Sequence, residues 1–286
     1  MTLGVIGGSG LYEIGWLQNP RWETVESPFG KPSDQLLIGE LDGIRLVFLP
    51  RHGRGHRLLP SEINFRANID VLKRAGVTDV ISLSAVGSLR EDLAPGTFVV
   101  VDQFIDRTFA RDRTFFGDGL IGHVSMAHPV CARVGDAAEA AARDAGVPCA
   151  RGGTYLVIEG PQFSTKAESE LYRRWSCAVI GMTNMPEAKL AREAELCYAT
   201  VAMVTDWDVW HPGHDTVTVD QVMAVMGTNV GLARELIRQA APRLRGRPTP
   251  CPQGCDRALD DAILTPPRDR DAAVVSRLSA VAGRVL

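Results

Sequence analysis

Basic charge is not in excess in this chain of 286 residues: 31 Lys and Arg face 34 Asp and Glu, a formal net charge of −3. No broad field is therefore available to gather nucleic acid or an anionic membrane, and any anion must be held by a local site. No apolar run reaches the roughly 18 residues of a membrane span. The start, Met1-Thr2-Leu3-Gly4-Val5-Ile6, shows neither the basic region nor the apolar stretch of a secretory signal. A soluble, cytoplasmic protein is the expectation. Internal repeats and low-complexity tracts are absent as well.

The standard nucleotide loops are also missing. Gly7-Gly8-Ser9-Gly10 follows an expected first strand, but Glu13 stands where a dinucleotide fingerprint needs its third glycine. Gly30-Lys31 is not a P-loop, since Val25 holds the first glycine position and Pro32 follows the lysine. Ser164 lacks a Gly-x-Ser-x-Gly elbow, and no cysteine has a cationic local sequence to activate it. Dehydrogenase, ATPase and acyl-enzyme chemistry are all disfavoured. Of the six cysteines, Cys177 and Cys197 lie in apolar runs and read as small core residues. Cys251 and Cys255 could form a local disulfide or half a metal site, but no second ligand pair follows at zinc-site spacing, so no metal is expected.

What the chain does have is 45% hydrophobic residues, enough for one large core, arranged as short apolar runs alternating with helical patterns. Strands are expected at residues 3–6, 79–84, 97–101, 154–158, 178–182 and 196–204, with a hairpin over 35–49 turning at Asp42-Gly43. The reading is α/β, a single-domain mixed twisted β-sheet covered by helices. Ser61 is a candidate cap for a helix ending at Gly76, and Thr165 with Glu168 and Thr218 with Gln221 form candidate capping boxes. Val219, Val222, Met223, Met226 and Val230 recur at helical spacing, so one face of that helix should be buried. The Pro-rich break at 245–250 separates a body, residues 1–243, from a tail, 244–286, too short for its own core; it should pack on the body or a neighbouring subunit.

Polar residues concentrate at strand ends. Asp206 and Asp208 close the apolar run 196–204; two apart on an extended chain they share a face, and repulsion with lost hydration should raise at least one pKa, as suits a general acid. Arg51-His52-Gly53-Arg54-Gly55-His56-Arg57 places five potentially cationic side chains in seven residues, an anion-binding loop by composition. The segments 82–88, 159–164 and 181–187 end further strands in small, hydroxyl or acidic residues, which argues for one shared crevice. An anion site beside a protonated acid suggests that the anion attacks while the acid protonates a departing base.

These residues resemble the trimeric purine nucleoside phosphorylase family, through Ile6-Gly7-Gly8-Ser9-Gly10-Leu11, residues 28–34, Arg51-His52-Gly53, Gly87-Ser88-Leu89-Arg90, residues 102–108, Glu159-Gly160-Pro161, Met182-Thr183 with Pro186-Glu187, and Thr205-Asp206-Trp207-Asp208. The similarity runs from Gly4 to about Arg243. It implies phosphorolysis of 5′-methylthioadenosine to adenine and 5-methylthioribose 1-phosphate by a homotrimer, with phosphate as co-substrate and no metal or organic cofactor. By resemblance, Ser9, Arg51, His52, Ser84, Ala85 and Thr183 would hold phosphate and Met182 would lie on the ribose, with Phe163 and Ser164 near the base. Asp206 would share a proton with purine N7, and Asp208 would accept from the 6-amino group. His123, Val219, Val222 and Met223 would meet the 5′-substituent where a neighbouring subunit closes the pocket. The nearest alternative is a 6-oxopurine nucleoside or 5′-methylthioinosine phosphorylase, which would present an amide at Asp208. A non-catalytic nucleoside or phosphate sensor and a nucleoside hydrolase fit less well, the latter because no metal-binding Asp cluster follows the first strand.

Overall fold

A computed structural model describes residues 1–8, 10–212 and 218–286, with the side chain of Gln221 outside the description. The strands are β1 (Thr2–Gly7), β2 (Gln18–Glu23), β3 (Leu36–Leu41), β4 (Ile44–Pro50), β5 (Asp79–Ser88), β6 (Phe98–Val100), β7 (Gln103–Arg107), β8 (Cys149–Arg151), β9 (Thr154–Ile158), β10 (Cys177–Gly181) and β11 (Cys197–Asp206). The helices are α1 (Phe65–Arg74), α2 (Ala132–Asp144), α3 (Lys166–Arg174), α4 (Asn184–Glu193), α5 (Val219–Leu244), α6 (Ala272–Arg277) and α7 (Ser279–Ala282). All these strands join one mixed sheet, and two apolar clusters pack its faces.

The long strand β5 organises the sheet. One edge pairs in parallel with β11 along most of its length; the other pairs with β1 over Asp79–Ser82 and then, antiparallel, with β10 only at Gly87 and Ser88. On that second edge the stretch 83–86 has no strand partner among the described residues, so the sheet splays open between β1 and β10. Backbone amides and carbonyls there must be satisfied by side chains or ligand. A crevice is thus built into the topology, beside the carboxyl ends of β1, β4, β5 and β11.

The expected strands and the hairpin are present. Three short strands escape the periodicity: β2 carries Pro20 and is largely exposed at the sheet edge, and β7 and β8 lack an alternating pattern long enough to read. Helix α1 corrects the Ser61 cap. The cap is Asn64, whose side chain accepts from the Ala67 N–H, while the Ser61 hydroxyl donates to Glu159. Thr165 and Glu168 do form a capping box on α3; the box at Thr218 rests on the Gln221 side chain and lies outside the described residues.

Helix α5 bears out the buried-face expectation in part. Met226 and Val230 pack against the core and the later half buries Ala233, Leu236, Ile237, Ala240, Ala241 and Leu244, but Val219 and Met223 are 64% and 60% exposed. The tail lies against the body: Leu259, Ala262, Leu278 and Val281 join the core cluster, and Arg284 pairs with Glu195 at 2.5 Å. Cys177 and Cys197 are buried, as expected, and the fold brings Cys197 together with Cys131, Cys251 and Cys255, a grouping that spacing does not reveal.

Candidate active site

The buried centre of the crevice is an ion pair. Arg51 is 1% exposed, and its Nε donates to Glu187 Oε2 at 2.8 Å, its Nη2 to Glu187 Oε1 at 3.1 Å and Ser82 Oγ at 2.6 Å, and its Nη1 to Leu83 O at 2.8 Å. The last bond satisfies one carbonyl on the unpaired edge of β5. Glu187 also accepts from Ser82 Oγ at 2.6 Å and Tyr198 Oη at 2.8 Å. Of the five guanidinium N–H groups, four are committed, which leaves one for an incoming anion. Arg51 is therefore a fixed donor, not a loose clamp. The remaining cations of the loop turn away: Arg54 binds Asp34 at 2.8 Å and covers the Trp22 ring, and Arg57 is exposed.

His52 is buried, with Nδ1 2.9 Å from Leu58 O and its ring stacked on His56. The carbonyl fixes the proton on Nδ1, so Nε2 is an acceptor in the neutral ring. Burial, with the charge of Arg51 adding, pushes the pKa down to about 4. In this state His52 can accept from a protonated phosphate oxygen, or take up a proton when a dianion arrives. Ser84 Oγ lies 3.1 Å from Tyr155 Oη. Thr183 Oγ1, at the start of α4, is buried without a well-formed hydrogen bond. Ala85, beside Ser84, lies on the stretch of β5 that neither β1 nor β10 covers. Ser9 lies outside the described residues.

At the far wall stand the two acids. Asp206 ends β11, accepting from Thr205 Oγ1 and from the Asp208 N–H, both at 2.8 Å. Strand alternation does not bring them together, because Asp208 adopts φ +52 and lies past the strand; the turn folds it back over its partner. Burial raises the pKa of Asp206. It also raises Asp208 to about 6, against a downward pull from Ser169 and with the Asp206 charge adding. Asp208 Oδ2 and Ser169 Oγ are buried without a well-formed hydrogen bond. Gly87 forms the floor, since a Cβ there would stand 2.9 Å from Asp206 Oδ1 and 3.3 Å from Asp208 Cβ. Gly87→Ala should lower kcat/KM roughly 100-fold by displacing the acids, with an unchanged circular dichroism spectrum. Near-native activity would detach the acids from the reaction.

Met182 packs its thioether over Gly160, which holds φ +70. Phe163 is exposed beside Ser164, whose Oγ is buried without a partner. Sequence reasoning missed what holds this wall. Arg111 donates from Nη1 to the carbonyls of Met182 and Met185, each at 2.7 Å, and from Nε to Glu159 Oε1 at 2.9 Å. Glu159 also accepts from the Phe109 N–H at 2.6 Å and the Ala110 N–H at 3.1 Å. Burial pulls its pKa upward, but these hydrogen bonds outweigh it and hold the carboxyl at about 2. Nothing in the run Phe109-Ala110-Arg111-Asp112-Arg113 distinguishes Arg111 from its neighbours. Arg111→Ala should cost about 3 to 5 kcal/mol in urea unfolding, because Glu159 is left buried and charged.

Among the candidates for a 5′ pocket, Val222 is half-buried and Val219 and Met223 are exposed on the first turns of α5. That helix passes the end of β11, where Asn229 Nδ2 donates to Val204 O at 3.2 Å. His123 is elsewhere in the chain. Its N–H donates to Ala262 O at 2.9 Å, and it lines a cavity of about 360 Å³ with His128, Arg192, Gln253 and Arg257. Within one chain His123 therefore does not join α5.

The sequence profile of the phosphorylase superfamily matches residues 2–241. The S-methyl-5′-thioadenosine phosphorylase of Rhodospirillum rubrum is 63% identical over 285 residues, covering 100% of this chain and 97% of the relative. That of Cereibacter sphaeroides is 59% identical, covering 99% and 98%. Among solved structures, a methylthioadenosine phosphorylase from an antarctic soil metagenomic library superposes with a TM-score of 0.92 at 47% identity, covering 98% of each chain. A point mutant of adenosine/methylthioadenosine phosphorylase from Schistosoma mansoni, in complex with methylthioadenosine, gives 0.80 at 37%, covering 87% and 93%.

Proposed function

The chain belongs to the phosphorylase superfamily, and on that premise we propose that it cleaves 5′-methylthioadenosine with inorganic phosphate to adenine and 5-methylthioribose 1-phosphate. The carrying observation is the juxtaposition across one crevice of a buried acid pair with raised pKa values and a set of buried hydroxyl donors left without well-formed hydrogen bonds. Adenine is a poor leaving group unless protonated, and phosphate is a competent nucleophile only when held in line with the breaking bond.

Phosphate occupies the gap in the edge of β5. It takes the free N–H of Arg51, the Thr183 and Ser84 hydroxyls and the backbone at Ala85, with His52 meeting its protonated oxygen; Ser9 is assigned to phosphate by resemblance alone. Its negative charge then faces the oxocarbenium-like sugar and stabilises the developing cation. Met182 lies against the ribose, and Phe163 and Ser164 border the base. Asp206 protonates N7, and Asp208 accepts from the 6-amino group. The exposed apolar turns of α5 form half of the 5′ pocket through Val219, Val222 and Met223. A neighbouring subunit of a homotrimer supplies His123 for the other half. The chemistry calls for no Lewis acid, because the attacking anion and the leaving-group acid are both provided. Among the described residues no helix is long and apolar enough to cross a membrane, in keeping with a cytoplasmic salvage enzyme for purine and methionine.

Incubation with 5′-methylthioadenosine or 5′-methylthioinosine, each with and without phosphate, followed by chromatography of free base, tests this reading. Phosphate-dependent adenine release should dominate. Base release independent of phosphate would indicate a hydrolase, and tight binding without turnover a sensor.

A further inference from the structure

Far from the acids, where the tail meets the body, four cysteines converge from three places in the chain. Cys131 stands at the N-cap of α2, Cys197 opens β11, and Cys251 and Cys255 flank a turn whose Gly254 holds φ +66. All four are buried, and their sulfurs all lie within 4.8 Å of one another. We propose that Cys131, Cys197, Cys251 and Cys255 form a structural tetrathiolate site for Zn2+ that fastens the tail to the phosphorylase body.

Geometry favours a metal over paired disulfides. A tetrahedral zinc with Zn–S bonds of about 2.3 Å places its sulfurs about 3.8 Å apart along every edge. The Cys131 and Cys251 sulfurs are 3.8 Å apart. Disulfides would instead need two pairs at about 2.05 Å, with no reason for all four atoms to remain mutually close. Surrounding groups suit a negatively charged cluster. Arg247 Nη2 approaches Cys197 Sγ at 3.6 Å and is itself anchored by Asp256 at 3.0 Å. Cys131 is placed where the amide dipoles of α2 favour a thiolate. The Cys131 and Cys251 thiols donate to Gln253 Oε1 at 3.6 and 3.7 Å; when those protons leave on metal binding, a turn of the amide about its last bond presents its N–H groups to the sulfurs instead. Gln253 and Gly254, on the turn between Cys251 and Cys255, also line the cavity of about 360 Å³ that holds His123 and His128.

The position fits a structural role. Cys251 and Cys255 come from the tail, and Cys131 and Cys197 from the body. The tail also reaches the body through the apolar seam of Leu259, Ala262, Leu278 and Val281, the ion pairs Arg284–Glu195, Arg277–Asp118 and Arg247–Asp79, and backbone bonds at Ile121 and His123, so the cysteines would fasten its first residues.

The test is metal analysis of the full-length protein purified without chelator or added metal, by plasma mass spectrometry, beside its intact mass under denaturing, non-reducing conditions. The expected result is about one zinc per chain with all six thiols reduced in mass. Cys251→Ser and Cys255→Ser should lower bound zinc at least about tenfold and speed proteolysis within the tail. Cys149→Ser and Cys177→Ser, outside the cluster, should retain it. Less than about a tenth of an equivalent of zinc with free thiols, a mass lower by two hydrogens for each bridge formed, or zinc equally retained in Cys251→Ser would each overturn the proposal.

Discussion

Replacing Asp206 with Asn is expected to lower kcat about 100- to 10,000-fold while KM for 5′-methylthioadenosine changes little. Asn keeps the size of the side chain, and its oxygen can still accept from Thr205 Oγ1 and from the Asp208 N–H, the bonds that hold Asp206 at 2.8 Å. What it cannot do is give up a proton to N7. Stability provides the control. Burial raises the pKa of Asp206 in the folded chain, so the native state binds this proton more tightly than the unfolded state does. The stabilisation linked to that proton is complete at low pH and is lost as pH rises through the folded value. Above that folded value the neutral Asn escapes the loss, and the variant should melt no lower than the parent. A near-parental rate in stopped-flow or steady-state assays would remove Asp206 from the acid role. A rate loss matched by a lower Tm would assign it to structure.

The acids were legible in the sequence because two carboxylates ending an apolar strand have few structural reasons to be there. Their mutual arrangement was not, since it depends on the left-handed backbone of Asp208 and on the bare floor at Gly87. The same contrast runs through the anion side. Composition marked Arg51-His52-Gly53 as cationic, but could not show that Arg51 is bound by Glu187, 136 residues further along, or that the Leu58 carbonyl makes His52 an acceptor. The α/β class and most strands follow from runs of apolar residues of ordinary length. The splay at β5 follows from which strand pairs with which half of it, a long-range fact without local signal. Helix α5 shows the opposite failure. Its apolar stripe is real, but local periodicity cannot say whether the covering surface belongs to the same chain, and Val219 and Met223 remain open in this one. Cys131, Cys197, Cys251 and Cys255 escape spacing rules for the same reason, since long stretches of chain separate the first three.

Substrate choice should turn on Asp208 and on pH together. Burial raises this carboxyl to about 6, and the Asp206 charge helps hold it there. Above that value it is ionised and can only accept, which matches the 6-amino group of adenine. Below it, the group gains an O–H and can donate to the 6-oxo group of hypoxanthine. The ratio of kcat/KM for 5′-methylthioadenosine over 5′-methylthioinosine should therefore be high at about pH 7.5 and fall as pH drops through about 6. Asp208→Asn presents both a donor and an acceptor at every pH. It should shift the ratio toward the inosine substrate by about 10- to 100-fold at neutral pH, the range expected when one buried polar contact is mismatched. Its ratio should also be flat across the interval in which the parent changes. The comparison separates the base reader from the general acid, because loss of Asp206 slows both substrates whereas loss of Asp208 reorders them. An unchanged ratio in Asp208→Asn, or a pH-dependent ratio that survives the substitution, would place the purine's 6-position against some other group.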